Sequence, residues 1–530
     1  MKLHSTALLP AFAAVALSSS VTIDAGTLHG GKCQGNQGAV YYKAIPFAEP
    51  PIGELRFEAP KAYKKMFPQG KLDATTSAPT CIQFSDEFTP TKLNSSKLSS
   101  EDWYDNIEAF GGDPKKVLLF GQSAGAENAY IVGSLPQASS LVNSIISESG
   151  GGRSLVLNAT QQSVGASYAQ ALKCDSSDKS CLQCRSISDL RSAYTHDDFL
   201  GRGVGNYDAL GVTGPNTHTF YPYVDGNFIT KDPRDTGVNV PTVFGFNENE
   251  ATVYAASWAA TNLQKKIVPT PSLYKDFLRR DFGPAAWLVE KYYRPSDFEA
   301  FAKPIAASGE LPGYNTTSLA ILFAMSKVVT DSTYKCPAWY GAMQAARKDI
   351  SSWTYEFKHS PSCTWLPTIS QKLISVFGGS HTSEIAYVFG NLDNSYLAGG
   401  DCNPTSAEYA PSEQMMDAWT AMAENADPST KEISWPKFKP SKNLSVTPGV
   451  IIDKTSVPGT IDFKGCELWT KVNSILSTSN ATITGSSPSG HSSSAPFSTP
   501  SRTSGAANIL PSTGGILALS ALLVAFVGLA

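Results

Sequence analysis

The sequence predicts an α/β protein built on a mostly parallel central sheet. Two observations predict it: short, wholly apolar runs, and helix-like stretches set between and after them. Residues 117–120 (Val-Leu-Leu-Phe), preceded by Lys115 and Lys116, form one such run, and residues 241–246 form another. A strand covered on both faces loses polar alternation and reads as a continuous apolar segment. Residues 302–308 and 415–425 have helical composition. Strands alternating with helices place the helices on the faces of a parallel sheet. Nearer the N-terminus, residues 21–28 alternate like an edge strand, residues 40–47 read as its neighbour, and Pro50-Pro51 stop the pattern. No internal repeat is visible.

The 530 residues are 42% hydrophobic and 17% charged, with a net charge of −4. No Lys/Arg run is long enough to track a polyanion, so no nucleic-acid partner is expected. Lys2, a short apolar run over 8–17 and the small residues Ser18, Ser19 and Ser20 read as a secretory signal over residues 1–20. A folded body is expected over 21–471 and a Ser/Thr/Pro-rich linker over 472–504. Residues 505–530 read as a lipid-anchor attachment signal. Small residues Ser504, Gly505 and Ala506 precede a short spacer, and 516–530 is apolar except for Ser520. A single membrane span is the alternative, but the tail is short and no basic flank follows it. Secretion, with attachment to the cell surface through a lipid, is therefore expected.

Asn94, Asn158, Asn315, Asn443 and Asn480 head Asn-x-Ser/Thr triplets, which suit that route as glycosylation acceptors. Nine cysteines fit a compartment that permits disulfides, and the odd total leaves at least one without an internal partner. Cys174, Cys181 and Cys184 lie close together, so two of them are able to close a small loop. His196 follows, but no second histidine stands at finger spacing, and neither a metal nor a cofactor is expected.

The strongest chemical signal is Gly121-Gln122-Ser123-Ala124-Gly125, directly after the run 117–120. A serine on a sharp strand-to-helix turn needs a strained backbone, and flanking glycines leave room for it. The turn lifts the hydroxyl to the top of the sheet, as in α/β-hydrolases. The Ala124 amide and the positive end of the following helix then face the oxyanion that develops when Ser123 attacks an ester. Seryl oxygen needs a base to take its proton. In this arrangement acid and histidine follow the serine in that order. Of seven histidines, His4 and His29 come too early, and His491 lies in the low-complexity tail. His196 and His218 leave little chain in which to place an acid first. His381, in a loop after Gly378-Gly379 and before the apolar stretch 385–389, is better placed than His359 to hang an imidazole over the sheet. The orienting acid should end a strand, and both Glu248 and Glu250 follow the run 241–246; spacing does not choose between them.

At these residues the chain resembles the type-B carboxylesterases, the family of the cholinesterases and some fungal lipases. Ile45-Pro46-Phe47-Ala48, Pro50-Pro51, Gly53 and Leu55-Arg56-Phe57 resemble its early segment. Asn106-Ile107, Phe110-Gly111-Gly112-Asp113-Pro114 and the pentapeptide 121–125 resemble its nucleophile region. Pro222, Val224-Asp225-Gly226, the trio Gly245, Asn247 and Glu250, and His381 with Glu384 resemble later landmarks. The resemblance implies an α/β-hydrolase fold with Ser123 as nucleophile, Glu250 as acid, His381 as base and the Ala124 amide in the oxyanion hole. It implies a small-molecule or lipid ester as substrate, cleaved through an acyl-enzyme.

The resemblance also implies a loss. In the family, roughly one hundred residues with a glycine-rich oxyanion loop and several strands precede the nucleophile. Here Ser100-Glu101-Asp102 resembles the opening of that segment and Trp103 its end, so the piece between Asp102 and Trp103 is missing. Cys81 matches a cysteine whose partner lies in the missing piece, and no His-Gly-Gly or Gly-Gly-Gly run separates Cys81 from Ser123. Each oxyanion donor removed typically costs about 2.7–4 kcal/mol of transition-state stabilisation. A mispredicted gene model or a degenerate copy would each account for the gap. The competing expectation is an inactive, surface-anchored binding or adhesion module on the same scaffold.

Overall fold

The structure is a computed structural model. It describes residues 19–32, 40–76, 106–194, 222–256, 259, 268–362, 374–392, 404–442, 444–484 and 523–527. The proposed leader, Cys81, Asn94, the Asp102–Trp103 junction, His196, His218, Asn443, His491 and most of the C-terminal tail lie outside these residues. The chain forms two compact units. The smaller comprises Met1–Pro114, Ser177–Arg191 and Leu529–Ala530, and the larger Lys115–Ser176 and Ser192–Gly528.

In the smaller unit, the alternating stretch 21–28 folds as two strands. Ser20–Ile23 and Gly26–His29 pair antiparallel, with Val21 opposite Leu28. The chain reverses at Asp24-Ala25, and Gly26 sits at φ 130°, where a Cβ would lie 2.5 Å from the Gly70 carbonyl oxygen. A glycine is needed at that approach. The third strand of this sheet is Lys71–Asp73, parallel to Gly26–His29. Of the expected neighbour at 40–47, only Val40–Tyr41 is a strand, and it pairs with Gly31–Lys32 in a separate ribbon. The segment 177–191 joins this unit through reciprocal bonds. Arg56 donates to the Gln183 and Arg185 carbonyls at 3.2 and 2.6 Å, and Gln183 Nε2 returns bonds to Glu54 and Arg56.

The larger unit holds the central sheet. Its strands are β1 (Val117–Gln122), β2 (Ser144–Glu148), β3 (Thr242–Asn247), β4 (Ser352–Phe357), β5 (Thr447–Ile452), β6 (Ser456–Ile461) and β7 (Leu523–Val527). Their spatial order is β6-β5-β4-β3-β2-β1-β7. β1 to β5 run parallel, while β6 and β7 lie antiparallel at the two edges. β1 to β4 are buried along their whole length, which is why they lack polar alternation. Its helices include α1 (Ala124–Ser134), α2 (Thr316–Val329), α3 (Cys336–Arg347), α4 (Ser406–Asn425) and α5 (Cys466–Thr484).

The helix expected at 415–425 begins earlier, at Ser406, because Thr405 and Glu408 form a capping box there. The buried side of α4 (Met415, Ala418, Trp419, Met422) packs on Leu118, Ile146, Val243 and Tyr355 of the sheet. The helical stretch at 302–308 belongs to Glu299–Ser308. A disulfide between Cys336 and Cys466 ties the start of α3 to the start of α5. Cys174 and Cys181 are also disulfide-bonded, whereas Cys184 is a free, exposed thiol. Among the described residues no helix is long and apolar enough to cross a membrane.

Candidate active site

The residues singled out in the sequence gather at the carboxyl ends of the parallel strands, where open α/β sheets place their ligands. Ser123 follows β1 directly and caps α1. Its backbone stands at φ 59° and ψ −122°, a conformation rare for a side-chain-bearing residue. The local sequence makes that turn possible. A Cβ on Gly121 would lie 2.6 Å from the Gly125 carbonyl carbon, and one on Gly150 would lie 2.3 Å from the Ser123 carbonyl oxygen. The turn is anchored by the Ser123 amide, which donates to the Glu148 carbonyl at 2.9 Å. Ala124 opens α1, so its N–H has no acceptor within the helix and points outward from the positive end.

Glu250 lies three residues beyond β3 and is fully buried. Its Oε2 is 2.6 Å from His381 Nδ1, and its Oε1 accepts from the Asn247 amide at 2.7 Å. The His381 amide donates in turn to the Glu250 carbonyl at 3.1 Å, so both residues are fixed by backbone and side chain together. Spacing left Glu248 open as well. It is instead half-exposed, 3.5 Å from Lys358 Nζ in an ion pair. The loop carrying His381 reaches this place because of the glycines before it. A Cβ on Gly378 would lie 2.2 Å from Asn249 Oδ1, and one on Gly379 would lie 2.8 Å from the Phe357 carbonyl oxygen.

The imidazole is enclosed. Tyr334 and Tyr254 pack on it at ring distances of 4.7 and 5.6 Å, and their hydroxyls bond to each other at 2.9 Å. Gln122 Nε2 lies 3.3 and 3.4 Å from the two ring nitrogens, a near-equal spacing that puts the amide over the ring face. With Nδ1 committed to Glu250, Nε2 is the nitrogen left to serve a hydroxyl. No hydrogen bond joins Ser123 Oγ to His381 in this resting geometry, a distance that catalytic pairs commonly close only with substrate in place.

Sequence reasoning did not find the carboxyl cluster behind the histidine. Glu384 is fully buried and accepts from Asn247 Nδ2 at 2.5 Å, while its Oε1 has no partner. Glu148, at the end of β2, is also buried and accepts from Trp419 Nε1 at 2.9 Å. Burial first, and then the Glu250 carboxylate, push the Glu384 carboxyl up to about 8. Burial and the nearby Glu384 drive Glu148 well above the usual carboxylate range. Burial thus disfavours the charged form of both acids behind the histidine. A signal existed in the sequence, since Glu384 stands three residues after His381. Glu148 carried none, because a glutamate that ends an apolar run reads as a solvated strand end.

His359, the other histidine late enough in the chain, sits elsewhere, 3.3 Å from Glu408 and 3.2 Å from Asp453. Among the described residues no group of His, Cys, Asp or Glu is arranged to hold a metal ion.

Residues 17–103 and 103–451 match the model of the carboxylesterase family. The two matches meet at Trp103. The chain is similar to mouse carboxylesterase 1E, with 26% identity over 357 residues, 63% of this chain and 56% of that protein. Cattle bile salt-activated lipase is 27% identical over 337 residues, 61% of this chain and 51% of the lipase. The crystal protein of Dictyostelium discoideum is 25% identical over 340 residues, 62% and 54% of the two chains. The chain thus spans about half the length of these relatives.

Proposed function

The chain belongs to the carboxylesterase family, an α/β-hydrolase family, and from that membership we propose that it hydrolyses carboxylic esters through Ser123. One observation carries the proposal: a strained Ser123 stands at the head of α1 while a buried Glu250–His381 pair, 2.6 Å apart, lies at the same end of the sheet. His381 Nε2 takes the proton from Ser123 Oγ as the oxygen attacks the ester carbonyl. The Glu250 carboxylate fixes the imidazole tautomer and stabilises the imidazolium. The Ala124 N–H faces the tetrahedral oxyanion. The imidazolium then gives its proton to the departing alcohol. Water, deprotonated by His381, attacks the acyl-enzyme and the acid leaves. The substrate class is a small-molecule or lipid ester.

The test is labelling by a fluorophosphonate, which needs an activated serine. The expected result is one adduct, at Ser123, that Ser123→Ala and His381→Ala both abolish, together with turnover of a short-chain nitrophenyl ester. Folded wild-type protein that stays unlabelled would overturn the proposal. It would also favour the second reading, a non-catalytic binding module, which the absence of a His-Gly-Gly or Gly-Gly-Gly run between Cys81 and Ser123 supports.

Secretion through the leader at 1–20 and a lipid anchor replacing 505–530 belong to the same proposal. Of the five glycosylation triplets, Asn315 is exposed, but its side chain caps α2 by accepting from the Ser318 amide. A glycan on Asn315 would therefore be carried from a helix cap.

A further inference from the structure

A cavity of about 110 Å³ opens among α1, α3 and α5, and its lining includes neither Ser123 nor His381. One water needs roughly 10–15 Å³ of such space. Several polar groups in its lining are unmet. Glu127, on α1, is 2% exposed, and neither carboxyl oxygen has a hydrogen-bond partner. Arg153 Nη1 is 3.7 Å from Glu127 Oε2, close enough to pair but too far to bond. Arg153 is held from behind, its Nε donating to the Thr333 carbonyl at 2.8 Å and its guanidinium lying 4.9 Å over the Tyr334 ring. Arg234 lies 4.4 Å over the Tyr340 ring with one long bond to Ser154 Oγ, 3.4 Å, and among the described residues no carboxylate pairs with it. Trp339 Nε1 is buried without an acceptor. Phe282, Trp469, Val472 and Leu476 add apolar side chains to the lining, with Thr470 and Asn473 beside them on α5.

We propose that this cavity is a binding site for a short-chain carboxylate, its oxygens held by Arg153, Arg234 and Trp339 Nε1 and its hydrocarbon group set against the α5 wall. The charge balance favours an anion over a cation. Two guanidiniums face the cavity. The lining carboxylate of Asp281 is already taken by two bonds from Arg280, both 2.9 Å. Glu127 is the one acid left, and burial raises its pKa to about 7, with Arg153 lowering it and Asp232 raising it. Once protonated, Glu127 becomes a fourth donor. A carboxylate would offer acceptors to these donors, which have too few partners of their own. An acid is also what ester hydrolysis releases, but the binding claim does not rest on that reaction.

The experiment is calorimetric titration of the full chain with acetate, butyrate and inorganic phosphate. Butyrate is expected to bind more tightly than acetate, and phosphate weakly or not at all. Arg234→Met should weaken butyrate at least tenfold, while Arg279→Met, an exposed surface change, should leave it unaltered. Trp339→Phe, which removes one N–H and keeps the shape, should weaken it several-fold and serves if the Arg234 variant does not fold. Affinity should rise as pH falls through about 7, and Glu127→Gln, a permanent donor, should flatten that slope. No detectable butyrate binding, or equal binding by wild type, Arg234→Met and Trp339→Phe, would overturn the site; phosphate preferred over butyrate would overturn the ligand class. None of these readouts measures ester hydrolysis, so they stand whether or not Ser123 reacts.

Discussion

Glu248 and Glu250 differ by two positions and have opposite surroundings. Glu250 is buried against His381 and bonded at both oxygens, whereas Glu248 meets Lys358 at the rim. In the proposed mechanism a neutral amide at 250 would hold the wrong imidazole tautomer. Glu250→Gln should cut kcat by a hundredfold or more on a nitrophenyl ester, and Glu248→Gln should change it less than twofold. Equal losses would remove Glu250 from its role. The serine turn and the histidine were legible in the sequence because glycines mark both: 121 and 125 around Ser123, 378 and 379 before His381. The choice of acid was not legible from spacing, since it depends on how the chain turns after β3. Nor was the buried acid Glu148, whose environment is made by Trp419, 271 residues away in sequence.

The elements fix the site by close approach. Gly245 lies in β3 next to β4, and a Cβ there would stand 2.0 Å from Cζ of Tyr355. Tyr355 is fully buried and packs on Trp419 and Trp435, so it has nowhere to move. Gly245→Ala should therefore destabilise the chain by about 1–3 kcal/mol or more, read as a lower denaturant midpoint. A midpoint within error of wild type would show that Tyr355 yields. The Cys336–Cys466 bond closes a separation of 130 residues between α3 and α5. A crosslink of that span removes denatured-state entropy worth about 4–5 kcal/mol in the chain-entropy account. Cys466→Ser should lose a few kcal/mol and should loosen α5, the apolar wall of the proposed carboxylate cavity. The strands that flank the site were readable as apolar runs. The hairpin over 20–29 was misread as one strand, because alternation continues across the two-residue turn and only Gly26 marks the reversal.

Across the whole molecule, buried ionisable groups set a pH dependence. Glu127, Glu384 and Glu148 have folded pKa values raised from 4.5, to about 7, to about 8 and well above the ordinary value. Raised acids contribute stability that is complete below 4.5 and is lost as pH climbs through the folded values. His359 behaves likewise. Burial opposes its charge, but the bonds to Glu408 and Asp453 outweigh that and raise it above 6.5. Glu408 runs the other way. Bonds from His359, Ser362 and Thr405 outweigh burial and hold it far below 4.5, so its contribution is lost only in strong acid. The melting temperature should thus peak near pH 5 and fall toward pH 8, and a flat or rising profile would contradict it. The edge of the sheet carries the last prediction. Among the described residues no strand from before Val117 joins the sheet, and β1 pairs instead with β7, Leu523 opposite Gly121 and Val527 opposite Val117. That pairing and a lipid anchor that replaces 505–530 exclude each other in one mature molecule. If the anchor is attached, β1 loses its cover and presents unpaired N–H and C=O groups along a buried, apolar strand. A chain ending at Ser504 should then self-associate, seen by light scattering as species larger than the full chain. A monodisperse, equally stable chain ending at Ser504 would mean that β7 contributes nothing to the fold.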